Sequence, residues 1–283
     1  MASTLRTQIL LISTALAAGI GLWFADKKGP EKKEAATNTT QAPPQALNVD
    51  WNKFADSVMS SLQADSQNKT DLDYYNLIGQ GKASMEQFDS LSYSLLRLKQ
   101  PLAAAVILSK KAEKSGTASD WSVAAESFYR ASHFTSGAFA SPALRASVEG
   151  FKKASGLEPG NLRYKTQLGS AIVESGANPM EGITLLREVV STDSTYIDAH
   201  IQLALFAIQS GQFDKAISRL QKVLIMRPDF SVAYLYLGQA FQQSGKIPEA
   251  IRSLEKYRDE LNDPALRNEV QQYIEQLKKP NNS

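Results

Sequence analysis

The chain has 283 residues, 43% hydrophobic and 21% charged, with a formal net charge of +2. That composition suits one sizeable globular core, and the near-neutral balance gives no electrostatic basis for a nucleic-acid partner. The absence of cysteine excludes disulfides, thiol catalysis and cysteine-held zinc.

Thr7 to Ala25 is a run of 19 residues without a charge. At about 1.5 Å per residue it nearly spans a bilayer core of about 30 Å. Trp23 sits at the interfacial end, with Lys27 and Lys28 just outside. Cleavage as a signal peptide at Ala15-Leu16-Ala17 would leave Ile20, Leu22, Trp23 and Phe24 at a wet terminus. Residues 1–26 are therefore expected to be an uncleaved transmembrane anchor. Only Arg6 and the terminal amine precede the run, whereas Lys27, Lys28, Lys32 and Lys33 follow it. A literal count of these charges places the large domain in the cytoplasm.

Residues 27–48 carry Pro30, Pro43, Pro44 and the polar tract Thr37-Asn38-Thr39-Thr40. With almost nothing apolar to bury, they read as a flexible tether, with a root-mean-square span of about 25 Å and a limit of roughly 75 Å.

Residues 49–116 read as helical. Trp51, Phe54, Val58 and Leu62 mark one face of a helix, and the polar stretch Gln63 to Lys69 ends it. Leu72 to Ile78 is an apolar patch compatible with a helix or a packed turn. Ser84 and Gln87 form a capping-box pattern ahead of Phe88, Leu91 and Leu95, and Pro101 restarts a helix that ends near Gly116.

In residues 117–161 Trp121, Ala124, Ala125 and Phe128 define one helix, and Ser147, Phe151, Ala154 and Pro159 a second. Between them Ser132 to Pro142 reads as an enlarged turn. Ser141-Pro142 has the form of a cap followed by a first-turn proline. Phe134 and Phe139 in that turn either fold over one edge of a groove lined by the first helices of the later pairs or pack on Trp121.

Residues 162–262 repeat themselves. Leu168-Gly169, Leu203-Ala204 and Leu237-Gly238 are separated by steps of 35 and 34 residues. A glycine follows each pair (Gly176, Gly211, Gly245), then a small residue (Gly182, Ala216, Ala250), then a leucine (Leu186, Leu220, Leu254). Glycine lets the first helix stop, and small residues let two backbones approach closely. Each pair leaves an apolar face uncovered, so copies must stack. Residues 263–279 begin with Asp263-Pro264 and carry a single stripe, Leu266, Val270, Ile274 and Leu277, which suits a terminal cap with one wet face.

This pattern resembles the tetratricopeptide repeat (TPR) family, whose period is 34 residues. Residues 49–116 resemble a divergent repeat, 117–161 a repeat with an enlarged turn, and 162–262 three repeats in register. The resemblance implies an all-α, right-handed superhelical solenoid of antiparallel helix pairs behind the transmembrane helix. Single-span bacterial members of the family resemble this layout with their repeats in the periplasm. That likeness implies a periplasmic domain, against the literal charge count.

His133 and His200 are the only histidines. His200 falls at a packed helical position and His133 lies in the enlarged turn with no carboxylate near it in sequence. No phosphate loop, G-x-S-x-G, H-E-x-x-H or calcium loop is present. No enzyme and no cofactor are expected. By the resemblance, the first helices line a concave groove for a protein or peptide. Its lining would be Arg163, Thr166, Ser170 and Val173, then Asp198, Ile201, Leu205 and Ile208, then Val232, Leu235, Gln239 and Gln242. With Arg163 the only basic residue there, a carboxylate clamp is not implied, and apolar anchoring through partly exposed Ile201, Leu205 and Leu235 is. The alternative for Ile201, Leu205 and Ile208 is packing on a neighbouring helix. The expected function is a membrane-anchored, non-enzymatic adaptor, with a structural subunit of a permanent complex as the alternative.

Overall fold

The computed structural model describes residues 48–63, 65–135 and 137–279. The expected anchor (1–26), all of the tether but its last residue, and the tail from Pro280 lie outside them. Among the described residues no helix is long and apolar enough to cross a membrane.

Thirteen α-helices and no strand are formed by the described residues: α1 (Trp51–Leu62), α2 (Lys69–Gly79), α3 (Met85–Arg97), α4 (Pro101–Ser115), α5 (Ala118–Phe134), α6 (Ala140–Leu157), α7 (Leu162–Ser175), α8 (Pro179–Thr192), α9 (Ile197–Gln209), α10 (Phe213–Met226), α11 (Val232–Gln243), α12 (Ile247–Glu260) and α13 (Pro264–Lys278). From α2 onward each helix packs on the next. The core is accordingly a series of seams: Phe151, Leu168 and Ile172 join α6 to α7, and Leu220, Val223 and Leu237 join α10 to α11. This is the architecture of a solenoid, stable through nearest-neighbour interfaces.

Local chemistry sets the helix starts. Asp50 accepts from the amides of Asn52 and Lys53, both at 3.1 Å, and Asn161 and Asp263 do the same for α7 and α13. Ser84 and Gln87 complete the capping box. Each unpaired first-turn amide satisfied in this way contributes about 1 kcal/mol. The apolar patch at Leu72 to Ile78 is helical, as α2, preceded by a short 3-10 turn at Ser66–Asn68.

Within the repeats the small residues are where backbones meet. A methyl group at Gly169 would lie 2.9 Å from the Gly182 carbonyl oxygen, and one at Gly238 would lie 2.8 Å from Leu254 Cγ. Gly176 ends α7 with φ 69°, a left-handed turn that an L side chain adopts at a cost. Between α3 and α4 the same conformation falls to Lys99, with φ 57°. That pair turns without the glycine its later counterparts use.

Two features differ from what the sequence suggested. Ser132 to Pro142 is mostly not a turn, because the flanking helices absorb it: α5 has 17 residues and α6 has 18, against 14 each in α7 and α8. Only a short 3-10 turn, Gly137–Phe139, remains ahead of α6, and Phe139 occupies the cap position. Pro142 lies at the third helical position, where its missing N–H breaks no helical bond. The second difference is α1, which crosses α4 and contacts it more than it does α2. Leu102 to Ile107 is buried without a break, so the first half of α4 is apolar all round and requires a third covering face. Ala55 supplies part of it, the Trp51 ring lies tilted at 5.0 Å from that of Phe128, and the Phe54 ring lies 5.3 Å from that of Phe139. Phe139 is thus held under α1 and not against Trp121, whose ring instead carries Lys153 Nζ at 3.7 Å. Phe134 is 67% exposed.

Candidate functional site

The lining positions sort by depth. Arg163, Asp198 and Gln239 are exposed, and Val173, Leu205, Val232 and Leu235 are half-buried. Thr166 is buried with its hydroxyl donating to Leu162 O at 2.8 Å, and Ser170 is buried with no partner for its Oγ. Ile201, expected to be partly exposed, is only 8% exposed, and Ile208 only 4%. Both join Ala204, Ala207 and Leu237 in the core, because alanines at 199, 204 and 233 bring neighbouring helices close. Gln242 is already engaged, accepting from the Tyr273 hydroxyl of α13 at 2.5 Å. The twelve lining candidates therefore do not form one continuous open surface.

What is open lies further toward the helix ends. A depression of about 470 Å³ is bounded by Ser132 and His133 of α5, Ala140, Ser141 and Leu144 of α6, Val173 and Glu174 of α7, and Gln209 of α9. That volume falls within the ordinary range for ligand clefts. Of the sequence candidates only Val173 belongs to it. The lengthened ends of α5 and α6 build one wall, which is the structural consequence of the inserted residues.

Glu174 organises that wall. It accepts a short hydrogen bond from the Tyr129 hydroxyl and lies 3.3 Å from His133 Nε2. Burial, reinforced by the Glu174 charge, pushes the Tyr129 phenol up, so it stays a neutral donor. The hydrogen bond to Glu174 raises His133 above its ordinary value, with partial burial opposing. Two further contacts tie α5 to α7: the Ser122 hydroxyl donates to Gln167 Oε1 at 3.1 Å, and Arg163 lies 3.9 Å from Glu126. The chain separation of 41 residues between His133 and Glu174 hid this pair from sequence reasoning. Glu174 lies one residue beyond the last lining position, and nothing local marks it.

The pair has a definite pH signature. A raised histidine pKa stabilises the fold fully below the unfolded value, near about 6.5, and that contribution is lost as pH rises through the folded value. In Glu174→Gln the His133 titration midpoint, read by imidazole NMR, is expected to fall toward the ordinary value. An unchanged midpoint would refute the pairing.

The tetratricopeptide repeat family matches residues 207–272, which span the end of α9 through the first half of α13. Those residues are similar to tetratricopeptide repeats. No curated protein matches the chain. Among solved structures, a TPR protein from Parabacteroides merdae ATCC 43184 is similar over 80% of this chain and 86% of its own, at 10% identity and a TM-score of 0.56. PilW, described as a widely conserved type IV pilus biogenesis factor, is similar over 68% of this chain and 85% of its own, at 17% identity and a TM-score of 0.53. A thermophilic TPR protein of Thermus thermophilus is similar over 69% and 98%, at 15% identity and a TM-score of 0.51. At these identities the likeness is one of fold: an all-helical TPR-like solenoid. TPR proteins are in general scaffolds for protein or peptide partners.

Proposed function

We propose that the chain is a membrane-anchored, non-enzymatic TPR scaffold that holds a protein or peptide partner on its first-helix side. The observation that carries this reading is the depression between α5, α6, α7 and α9, with Leu144 and Val173 as apolar walls and His133, Glu174 and Gln209 as polar ones. An apolar anchor side chain buried there would contribute about 1.5–3 kcal/mol, and the polar rim would orient the backbone beside it. The uncharged run Thr7 to Ala25 supports the anchor. The family likeness favours the periplasmic side.

One experiment tests anchor and site together. Membranes from cells producing the full chain are washed with carbonate, and the chain is recovered with whatever partner it holds. Ser141→Trp places an indole in the depression from an exposed position and leaves the core alone. The parent is expected to stay in the membrane with its partner. The variant is expected to stay in the membrane, keep its helix content and melting point, and lose the partner. Release of the parent by carbonate would remove the anchor, and partner retention by the variant would remove the site.

A further inference from the structure

A second depression, of about 500 Å³, lies on the other side of the repeats, between α8, α9 and α10. Val190, His200 and Ser218 line it with Lys215, Arg219 and Lys222, and the one acid present, Asp214, is already 3.1 Å from Lys246 Nζ. Among the described residues the Arg219 and Lys222 side chains make no ion pair or hydrogen bond, and neither does that of Arg187 of α8, whose charge acts on Arg219. A half-buried guanidinium that feels the charge of a second one and has no ion-pair partner is electrostatically incomplete.

His200 gives an independent sign of the same deficit. The residue is 2% exposed, and its Nε2 lies 3.0 Å from Ser194 O. A carbonyl can only accept, so Nε2 carries the hydrogen and Nδ1 of the neutral ring is a bare acceptor. Nδ1 is buried and has no partner. Burial, with Lys222 and Arg219 adding to it, holds this ring below its ordinary pKa, while the Ser194 hydrogen bond and Asp193 oppose. These are the charged groups that act on the ring: two cations from α10 and one acid from the turn before α9.

We propose that this depression binds a phosphomonoester dianion, free or as a lipid headgroup, and that His200 takes up a proton at Nδ1 as the anion enters. A dianion with three terminal oxygens matches a guanidinium fork, an ammonium and the Ser218 hydroxyl together, whereas a single carboxylate would leave cations unmatched. The bound charge offsets Arg219 and Lys222 and thereby restores the affinity of the buried ring for a second proton. Binding is therefore tighter at the acid end of the range over which the ligand remains a dianion. The site is separate from the first-helix depression, so loss of partner capture leaves it untouched.

With two histidines in the chain, imidazole NMR of the full-length protein in detergent resolves each one. Inorganic phosphate, added at constant ionic strength against chloride, is expected to shift the His200 signals saturably and raise its titration midpoint. His133 should not move. Arg187→Gln with Lys222→Gln, both at exposed positions, is expected to weaken binding at least tenfold with unchanged helix content. Absence of a saturable shift, parallel movement of His133, or an unaltered titration in the double variant would overturn the proposal. Short-chain phosphatidic acid in the same micelles, with short-chain phosphatidylcholine as control, assigns the source. Competition with phosphate by the former alone identifies a lipid headgroup, and none identifies a free phosphorylated ligand.

Discussion

Phe151→Ala is expected to destabilise the seam between α6 and α7 by about 3–5 kcal/mol and to split unfolding into two steps. Phe151 is 2% exposed and packs with Ala125, Val148, Leu168, Ala171 and Ile172, which come from three consecutive helices. The cavity cannot collapse easily, because α5 and α6 already stand in backbone contact there. A methyl group at Gly150 would lie 2.8 Å from Ala125 Cβ. In a solenoid an interface couples the repeats on its two sides, so weakening one seam lets each side unfold by itself. The chain supplies its own probe, since its tryptophans, at 23, 51 and 121, all precede residue 151. In the variant, tryptophan fluorescence should report a single transition in urea and circular dichroism two. Coincident transitions at the parent's midpoint would show that this seam does not couple the array.

Gly182→Ala is expected to cost about 2–3 kcal/mol although alanine is the better helix former. The added methyl would press into the carbonyl oxygen of Gly169 and lie 2.7 Å from Val173 Cγ2. The first of these is backbone and cannot rotate aside, so α7 and α8 must move apart. Overpacking of this kind costs about 1–3 kcal/mol, occasionally more, while the gain in helix propensity is at most about 1 kcal/mol. Gly156 provides the contrast. It is exposed in α6 with nothing within 4 Å of its added methyl, so Gly156→Ala should stabilise by up to about 1 kcal/mol. The two changes should move the urea midpoint in opposite directions with the slope unchanged. Stabilisation by both would mean that α7 and α8 do not meet at Gly169 and Gly182.

Much of the helix framework is local and was open to reading. Leu168-Gly169 and Leu237-Gly238 recur at a fixed step because each pair buries the same stripe against the next copy. Asp50, Ser84, Asn161 and Asp263 start helices through bonds spanning two or three residues, which sequence spacing captures. The stripe at Val270 and Ile274 faces inward with a wet outer face, as a terminal helix requires. Where two local readings competed, contacts distant in sequence decided. Leu72 to Ile78 is helical because it packs with Met59, Phe88 and Leu91. Ser141-Pro142 does not begin α6, because Phe139, held by Phe54, already occupies the cap position two residues before Ser141.

The sites were decided by tertiary structure. Lining positions read from a repeat register give the direction of a side chain but not how near the neighbouring helix stands. Small residues at 199, 204 and 233 bring the helices close enough to bury Ile201 and Ile208, and α13 reaches over to occupy Gln242. The first-helix depression joins Ser141 to Gln209, and the second gathers His200, Arg219 and Lys222 against α8. Sequence alone determined where most of the helices start, stop and repeat, since those depend on capping groups and apolar spacing within a few turns. Which side chains share a cavity depends on how adjacent pairs are rotated and spaced. That is set by side-chain volume at seams between helices, and only the folded array makes it visible.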